Sequence, residues 1–234
     1  MTEDIDIRFV VCSDGHWGQD SEEFDFVQQH EKALDMIDSI HADHPIDFLV
    51  YNGDIVHDDQ TLHQTVKDEF FDELPTGVEW YGSFGNHDWA EDDEWEAVYG
   101  HPKEHSFEVG QYAFILAPTG SPRTATNESA DADYLESKID FYSGKDGVFL
   151  FMHTSPFPRG DWDIDDVGVD DPAVREQCER SEVVATFCGH NHDLNELITH
   201  NDARYFYVSR IGGENFDTEQ EDIEDNGLRV FDIK

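Results

Sequence analysis

The chain has 234 residues, enough for one domain, 1–234, of ordinary to large size with a sizeable core. Acidic residues number 55 against 14 basic, a formal net charge of -41. A surface of that sign repels nucleic-acid phosphates and anionic membranes, which disfavours nucleic acid as a partner. Aromatic content of 13% and recurrent apolar runs exclude a disordered acidic tail as the main reading. No apolar run nears the roughly 20 residues that span a bilayer. The N-terminus has neither a basic region nor a long apolar segment, so a soluble cytoplasmic protein without membrane association is expected.

Residues 5–12 (IDIRFVVC) read as a strand rich in β-branched and aromatic residues. A helix is predicted from Asp20, with Glu23 at capping-box spacing, to about His41; Phe26, Val27, Ala33, Leu34 and Ile37 share its apolar face. A strand at 46–51, a helix at 60–73 stopped by Pro75, a strand at 78–84 and a short acidic helix at 91–98 follow. The segment SFEVGQYAFILAP reads as a hairpin turning at Gly110-Gln111. Then come a helix at 130–142, a strand at 147–152, a helix near 172–181 and a strand at 183–188. Apolar runs at 195–199 and 204–210 form a hairpin across Asn201-Asp202, and a last run covers 228–233. Strands alternating with helices, then hairpins, imply a mixed α/β (α+β) architecture.

Five polar clusters each fall directly after a short apolar run: Asp14-Gly15-His16, Gly53-Asp54, Gly85-Asn86-His87-Asp88, His153 and Gly189-His190-Asn191-His192. Ligand sites in open α/β sheets lie beyond the carboxyl ends of strands, so one shared site is expected. Asp14, His16, Asp54, Asn86, His153, His190 and His192 offer carboxylate, amide-oxygen and imidazole donors. These suit two divalent ions of the Mn, Fe, Zn, Ni or Co kind.

In order and spacing these motifs resemble the calcineurin-like metallophosphoesterase superfamily, and the match runs from Asp14 to His192. The resemblance implies a four-layer α-β-β-α sandwich of two mixed sheets flanked by helices. It implies that Asp14, His16 and His192 hold one metal, that Asn86, His153 and His190 hold the second, and that Asp54 bridges them. His87 then lies near the leaving group, oriented by Asp88 or a backbone carbonyl. The chemistry implied is phosphoester hydrolysis by a metal-bridging hydroxide, manganese being the favoured metal, with His87 as proton donor. The arginines of the protein phosphatases in this superfamily are missing around Gly53-Asp54 and Gly85-Asn86. The extra tyrosine of purple acid phosphatases is also missing after Asp54. The compact chain is most similar to small cyclic-nucleotide phosphodiesterases, which points to a phosphodiester or a small phosphorylated metabolite as substrate. A nuclease of the same superfamily and a non-catalytic scaffold are the alternatives.

Carboxylates spread over every segment, with lysine scarce, are similar to the composition of proteins from halophilic organisms, whose charge is screened by molar salt. Cys12 and Cys188 read as small core residues. His30, His41, His44, His57, His63, His101, His105 and His200 match no ligand pattern and read mostly as surface or loop histidines; His57, three residues past Asp54, is close enough in sequence to reach the site's periphery. The Asp161–Asp171 stretch fails the calcium-loop template, which needs Gly where Asp166 stands and Glu where Pro172 stands. It reads as a solvated acidic loop or a rim to the site, with Arg159 and Trp162 as loop anchors or substrate contacts. Gly212-Gly213-Glu214-Asn215 reads as a tight turn, and Asn127-Glu128-Ser129 as a chance sequon.

Overall fold

The computed structural model describes residues 5–19, 25–157, 168–211 and 227–234. The expected helix cap at Asp20 and Glu23, Arg159, Trp162, residues 161–167 of the acidic stretch and the turn at 212–215 lie outside them. The first half gives β1 (Ile7–Cys12), α1 (Phe26–Asp43), β2 (Phe48–Asn52), α2 (His63–Glu69), β3 (Glu79–Ser83) and α3 (Asp92–Tyr99). The second half gives β4 (His105–Val109), β5 (Tyr112–Leu116), β6 (Gly120–Ser121), β7 (Thr124–Asn127), α4 (Ala132–Phe141), β8 (Gly147–Phe151), α5 (Pro172–Cys178), β9 (Val183–Cys188), β10 (Leu197–His200), β11 (Ala203–Tyr207) and β12 (Leu228–Ile233).

Two mixed sheets carry the fold, one ordered β12-β1-β2-β3 and the other β10-β11-β9-β8-β5-β4. In the first, β1, β2 and β3 are parallel and β12 runs against β1. In the second, β5, β8, β9 and β11 are parallel, with β4 and β10 antiparallel at the edges. Strands buried on both faces read as continuous apolar runs, as β2 and β8 do. Phe9, Val11, Phe48 and Val50 point inward against Phe114, Leu116, Phe149, Phe151 and Phe187 of the other sheet. The alternating residues Val10, Cys12, Leu49 and Tyr51 face the helical side with Ala33, Ile37 and Trp95. Ala113, Ile115, Val148 and Leu150 face Leu135, Ile139 and Val174 of α4 and α5. Three apolar layers between four layers of structure make the expected α-β-β-α sandwich. Phe9 is the hinge of the middle layer: its ring stacks on Phe48 at 5.0 Å and Phe231 at 5.2 Å, and meets Phe114 edge-on at 5.7 Å.

Local chemistry moves several expected boundaries. Helix α1 starts at Phe26, capped by Asp25, whose carboxylate accepts from the Gln28 N–H. Val27 is turned outward and 46% exposed, because the buried stripe runs Phe26, His30, Ala33, Ile37 and Ile40 at helical spacing. The helix expected over 60–73 is three pieces, with α2 between 3-10 turns at Gln60–Leu62 and Phe71–Glu73. The turn at Asn201-Asp202 puts both residues at positive φ, 48° and 68°, as a two-residue hairpin requires. The β6–β7 hairpin is an element the sequence reading did not anticipate.

His30, His63 and His101, expected at the surface, are buried. His30 Nδ1 donates to the Phe26 carbonyl at 2.7 Å, and its Nε2 lies 3.0 Å from the Tyr51 hydroxyl. Burial lowers its pKa from the usual 6.5 to about 4. The unfolded chain therefore takes up this proton first. The stability contributed by neutral His30 is present above pH 6.5 and is lost as pH falls toward about 4. Urea unfolding across that window should show a loss on the order of 3 kcal/mol from this residue. The steepness should diminish in His30→Gln; an unchanged slope would assign the proton uptake elsewhere.

Candidate metal centre

Asp14 and His16 follow β1, Asp54 follows β2, Asn86 follows β3, His153 follows β8, and His190 and His192 follow β9. These are the carboxyl ends of parallel strands from both sheets. The two sheets are joined at this edge by Asn52, whose side-chain amide reaches the Met152 and Phe187 carbonyls at 3.4 and 3.3 Å. The loops after β1 and β2 also run together, with Asp14 N–H on Gly53 O at 3.1 Å and His16 N–H on Asp54 O at 2.9 Å.

The backbone bends sharply to aim the side chains. Among the described residues, seven non-glycine residues have positive φ, and five of them are Asp14, His16, Asp54, Asp58 and His190. Left-handed backbone is unfavourable for residues with a Cβ, and its concentration at one place marks a site held by its surroundings.

Two donor groups converge. Asp14, His16 and His192 form one and Asp54, His153 and His190 the other, with donor atoms inside each group within 4.8 Å of one another. His16 Nε2 lies 3.0 Å from His192 Nε2 and 3.5 Å from Asp54 Oδ2. His192 Nε2 is 3.4 Å from Asp14 Oδ1. His153 Nε2 is 3.0 Å from Asp54 Oδ2 and 3.7 Å from Asp14 Oδ1. Asp54 thus touches both groups. Asp54 Oδ2, His153 Nε2 and Asn86 Oδ1 are buried without a hydrogen-bond partner, despite the close approach of the first two. Buried polar atoms are normally satisfied, and unpartnered atoms on Asp54, His153 and Asn86, the first two 3.0 Å apart, fit a divalent cation. A third group, His16, His57 and His87, abuts the first.

The charges agree with that donor set. Burial opposes ionisation of Asp14 and Asp54, yet the His153 ring holds both well below the usual carboxylate range. Burial also works against a charged His153, but Asp54 and Asp14 outweigh it and push the ring up to about 10. A proton there does what a cation would do for two desolvated carboxylates. Burial lowers His16 to about 3 and His190 to about 4, so both offer neutral imidazoles, the form that ligates.

His87 and Asp88 part company. Asp88 is fully buried and accepts from the Ile55, Val56 and Gly85 N–H groups at 2.7, 3.0 and 2.9 Å. Its carboxylate stitches the loops after β2 and β3, and burial followed by the Asp54 charge raises its pKa to about 7. The residue that meets His87 Nδ1 is Asp58, at 2.7 Å, so the expected orientation by Asp88 is replaced by Asp58. The physical reason is direction: neighbouring side chains in the Asn86-His87-Asp88 turn point apart, His87 outward and Asp88 into the backbone. His57, on the site's periphery, lies 3.0 Å from His16 through their Nδ1 atoms and stacks on His87 at 4.8 Å. Asn127 Nδ2 lies 2.9 Å from His190 Nε2. Asp58 could have been suspected from its place four residues past Asp54. Nothing local in the sequence points to Asn127.

The profile of the calcineurin-like phosphoesterases matches residues 7–194, and the chain belongs to that family. Among solved structures, a dimetal phosphatase from Danio rerio superposes with a TM-score of 0.67 at 13% identity, covering 88% of each chain. The NAD nucleotidase of Haemophilus influenzae superposes with a TM-score of 0.50 at 9% identity, over 87% of this chain and 44% of that one. At these identities the likeness is one of fold. No curated protein matches the sequence.

Gly15 shows how tightly the first loop is built. A Cβ there would run into the Tyr51 hydroxyl and come within 2.7 Å of His30 Nε2, both held in the core. Gly15→Ala should therefore destabilise the fold by about 1–3 kcal/mol in chemical denaturation. An unchanged midpoint would mean that the Asp14–His16 turn has freedom this packing denies it.

Proposed function

We propose that the protein is a dinuclear metal-dependent phosphoesterase acting on a phosphodiester or a small phosphorylated metabolite. The observation that carries this is the meeting of two carboxylate–imidazole groups at Asp54, with buried atoms of Asp54, His153 and Asn86 left without hydrogen-bond partners. Asp14, His16 and His192 would hold one ion, and Asn86, His153 and His190 the other, with Asp54 between. Two divalent ions, manganese foremost, activate water at neutral pH and neutralise charge on a phosphoryl group when bound. Two fold neighbours, a dimetal phosphatase and an NAD nucleotidase, are compatible with that class.

The protein's own groups supply the rest. His87 is partly exposed at the mouth of the site, its Nδ1 engaged by Asp58, which leaves Nε2 to pass a proton to a departing alkoxide. The Asp58 carboxylate fixes the ring's tautomer and direction. The His87 backbone N–H donates to Asp54 Oδ1 at 2.8 Å and ties the loop that carries the proton donor to the carboxylate between the ions. A small substrate is favoured over nucleic acid because a net charge of -41 leaves little basic surface to follow a phosphate backbone. The motif pattern is similar to that of the small cyclic-nucleotide phosphodiesterases, and the cytoplasm is the compartment we propose.

Turnover of an activated aryl phosphodiester with Mn2+ tests this. Asp54→Ala, which removes the carboxylate between the ions, and His87→Ala, which removes the general acid, should each lower kcat by roughly 100-fold or more. Asp58→Asn should lower kcat while leaving KM near wild type. Full activity in both alanine variants would reject the site.

We further propose that the acidic surface is a salt adaptation of the halophilic kind. Self-repulsion among 55 carboxylates weakens as the Debye length shrinks to about 3 Å at 1 M salt. The thermal midpoint should rise steeply between 0.1 and ~2 M KCl; a flat salt profile would count against the adaptation.

A further inference from the structure

The β6–β7 hairpin stands apart from both large sheets as a two-stranded unit. Its base is rooted beside the loop after β3. Thr119 N–H donates to the Phe84 carbonyl at 3.0 Å, and Thr119 Oγ1 accepts from Thr154 N–H at 2.9 Å. A Cβ on Gly120 would strike the Gly85 carbonyl and come within 2.8 Å of Asn86 Cα. Its tip is pinned by Arg123, which donates to Glu91 at 2.8 Å, to Glu94 at 3.5 Å and to Gln60. Its far end delivers Asn127 to His190 Nε2 at 2.9 Å. The hairpin therefore crosses from the loop bearing Asn86 to the loop bearing His190, two residues expected at the same ion.

We infer that Asn127 is a positioning residue for that ion: it fixes the His190 ring through Nε2 and so leaves Nδ1 to join Asp54 and His153. The inference rests on the dinuclear reading above. An imidazole that ligates through one nitrogen bonds a partner through the other, and that partner sets both the tautomer and the plane of the ring. A carboxamide is suited to both states of His190. Its NH2 donates to Nε2 while that nitrogen has its lone pair. After a half-turn of the amide, its oxygen accepts from Nε2–H once Nδ1 gives its lone pair to a metal. The Arg123 anchor and the close packing of Gly120 keep Asn127 in place, so the ring is aimed before an ion arrives.

Calorimetric titration of the full chain with Mn2+ tests this without recourse to catalysis. The wild type should bind two ions. Asn127→Ala should keep one at wild-type affinity and bind the other 10–100-fold more weakly, the usual cost of losing such a partner. Asn127→Asp, whose carboxylate accepts from Nε2–H, should restore that second affinity to wild type or better. A purely structural role would lower the melting temperature and weaken both ions alike, in both variants. Two wild-type affinities in Asn127→Ala, or equal weakening in the Ala and Asp variants, would overturn the inference and leave the dinuclear reading standing. A wild type that binds fewer than two ions would overturn the dinuclear reading itself, and the inference with it.

Discussion

Two carboxylates taken out of water set the terms for this molecule. Asp14 and Asp54 are 0% and 1% exposed, at the ends of neighbouring parallel strands, and both lie within 4 Å of His153 from the opposite sheet. An ionised carboxylate in such a place is costly unless opposite charge and donors surround it. The site consists of what meets that cost. Backbone N–H groups of His190 and His87 are turned onto Asp14 and Asp54 at distances near 3 Å. The left-handed turns at Asp14, His16, Asp54 and His190 make those donations possible. They cost backbone energy that the packed sheets beneath can sustain. Three aromatic-rich layers supply that support, because strands buried on both faces leave their ends little freedom.

The same logic separates what the sequence disclosed from what it hid. The strands leading to the site are buried at their carboxyl ends, as in FLVYN and VVATFC, so those ends are easy to place, and the polar cluster beyond each stands out. Seven candidate donors in five segments could therefore be named from order alone. Contacts that depend on direction could not. Asp88 follows His87 in sequence yet serves three backbone N–H groups, while Asp58, 29 residues away, meets the His87 ring. His30 looks like one more polar helix residue until Tyr51 is brought over it from another strand. The β6–β7 hairpin is short, half exposed and has no apolar alternation, so no periodicity announces it.

Asp88 and His87 also illustrate a division of labour within one turn. A carboxylate buried beside Asp54 and bonded to three N–H groups is placed to hold two loops in register, not to move protons at a substrate. Its raised pKa follows from burial and from the neighbouring charge, not from function. The partly exposed His87 ring beside it is the one placed to meet solvent or ligand. A perturbed pKa in a cleft can thus report burial and a neighbouring charge alone, and the Asp88 hydrogen bonds show which backbone groups its carboxylate serves.

The surface charge bears on how an anionic substrate could reach the site. At low ionic strength a net charge of -41 repels a phosphoester over tens of ångströms. In molar salt the screening length falls to about 3 Å, the scale of a single contact. Long-range steering, attractive or repulsive, then contributes almost nothing, and recognition falls to groups within touching distance of the phosphoryl oxygens. A site that concentrates imidazoles, a carboxamide and cation-fitting carboxylates at one sheet edge needs no basic surroundings under those conditions. The acidic exterior and the proposed phosphoester site are therefore compatible in one chain under the molar salt that the proposed adaptation calls for.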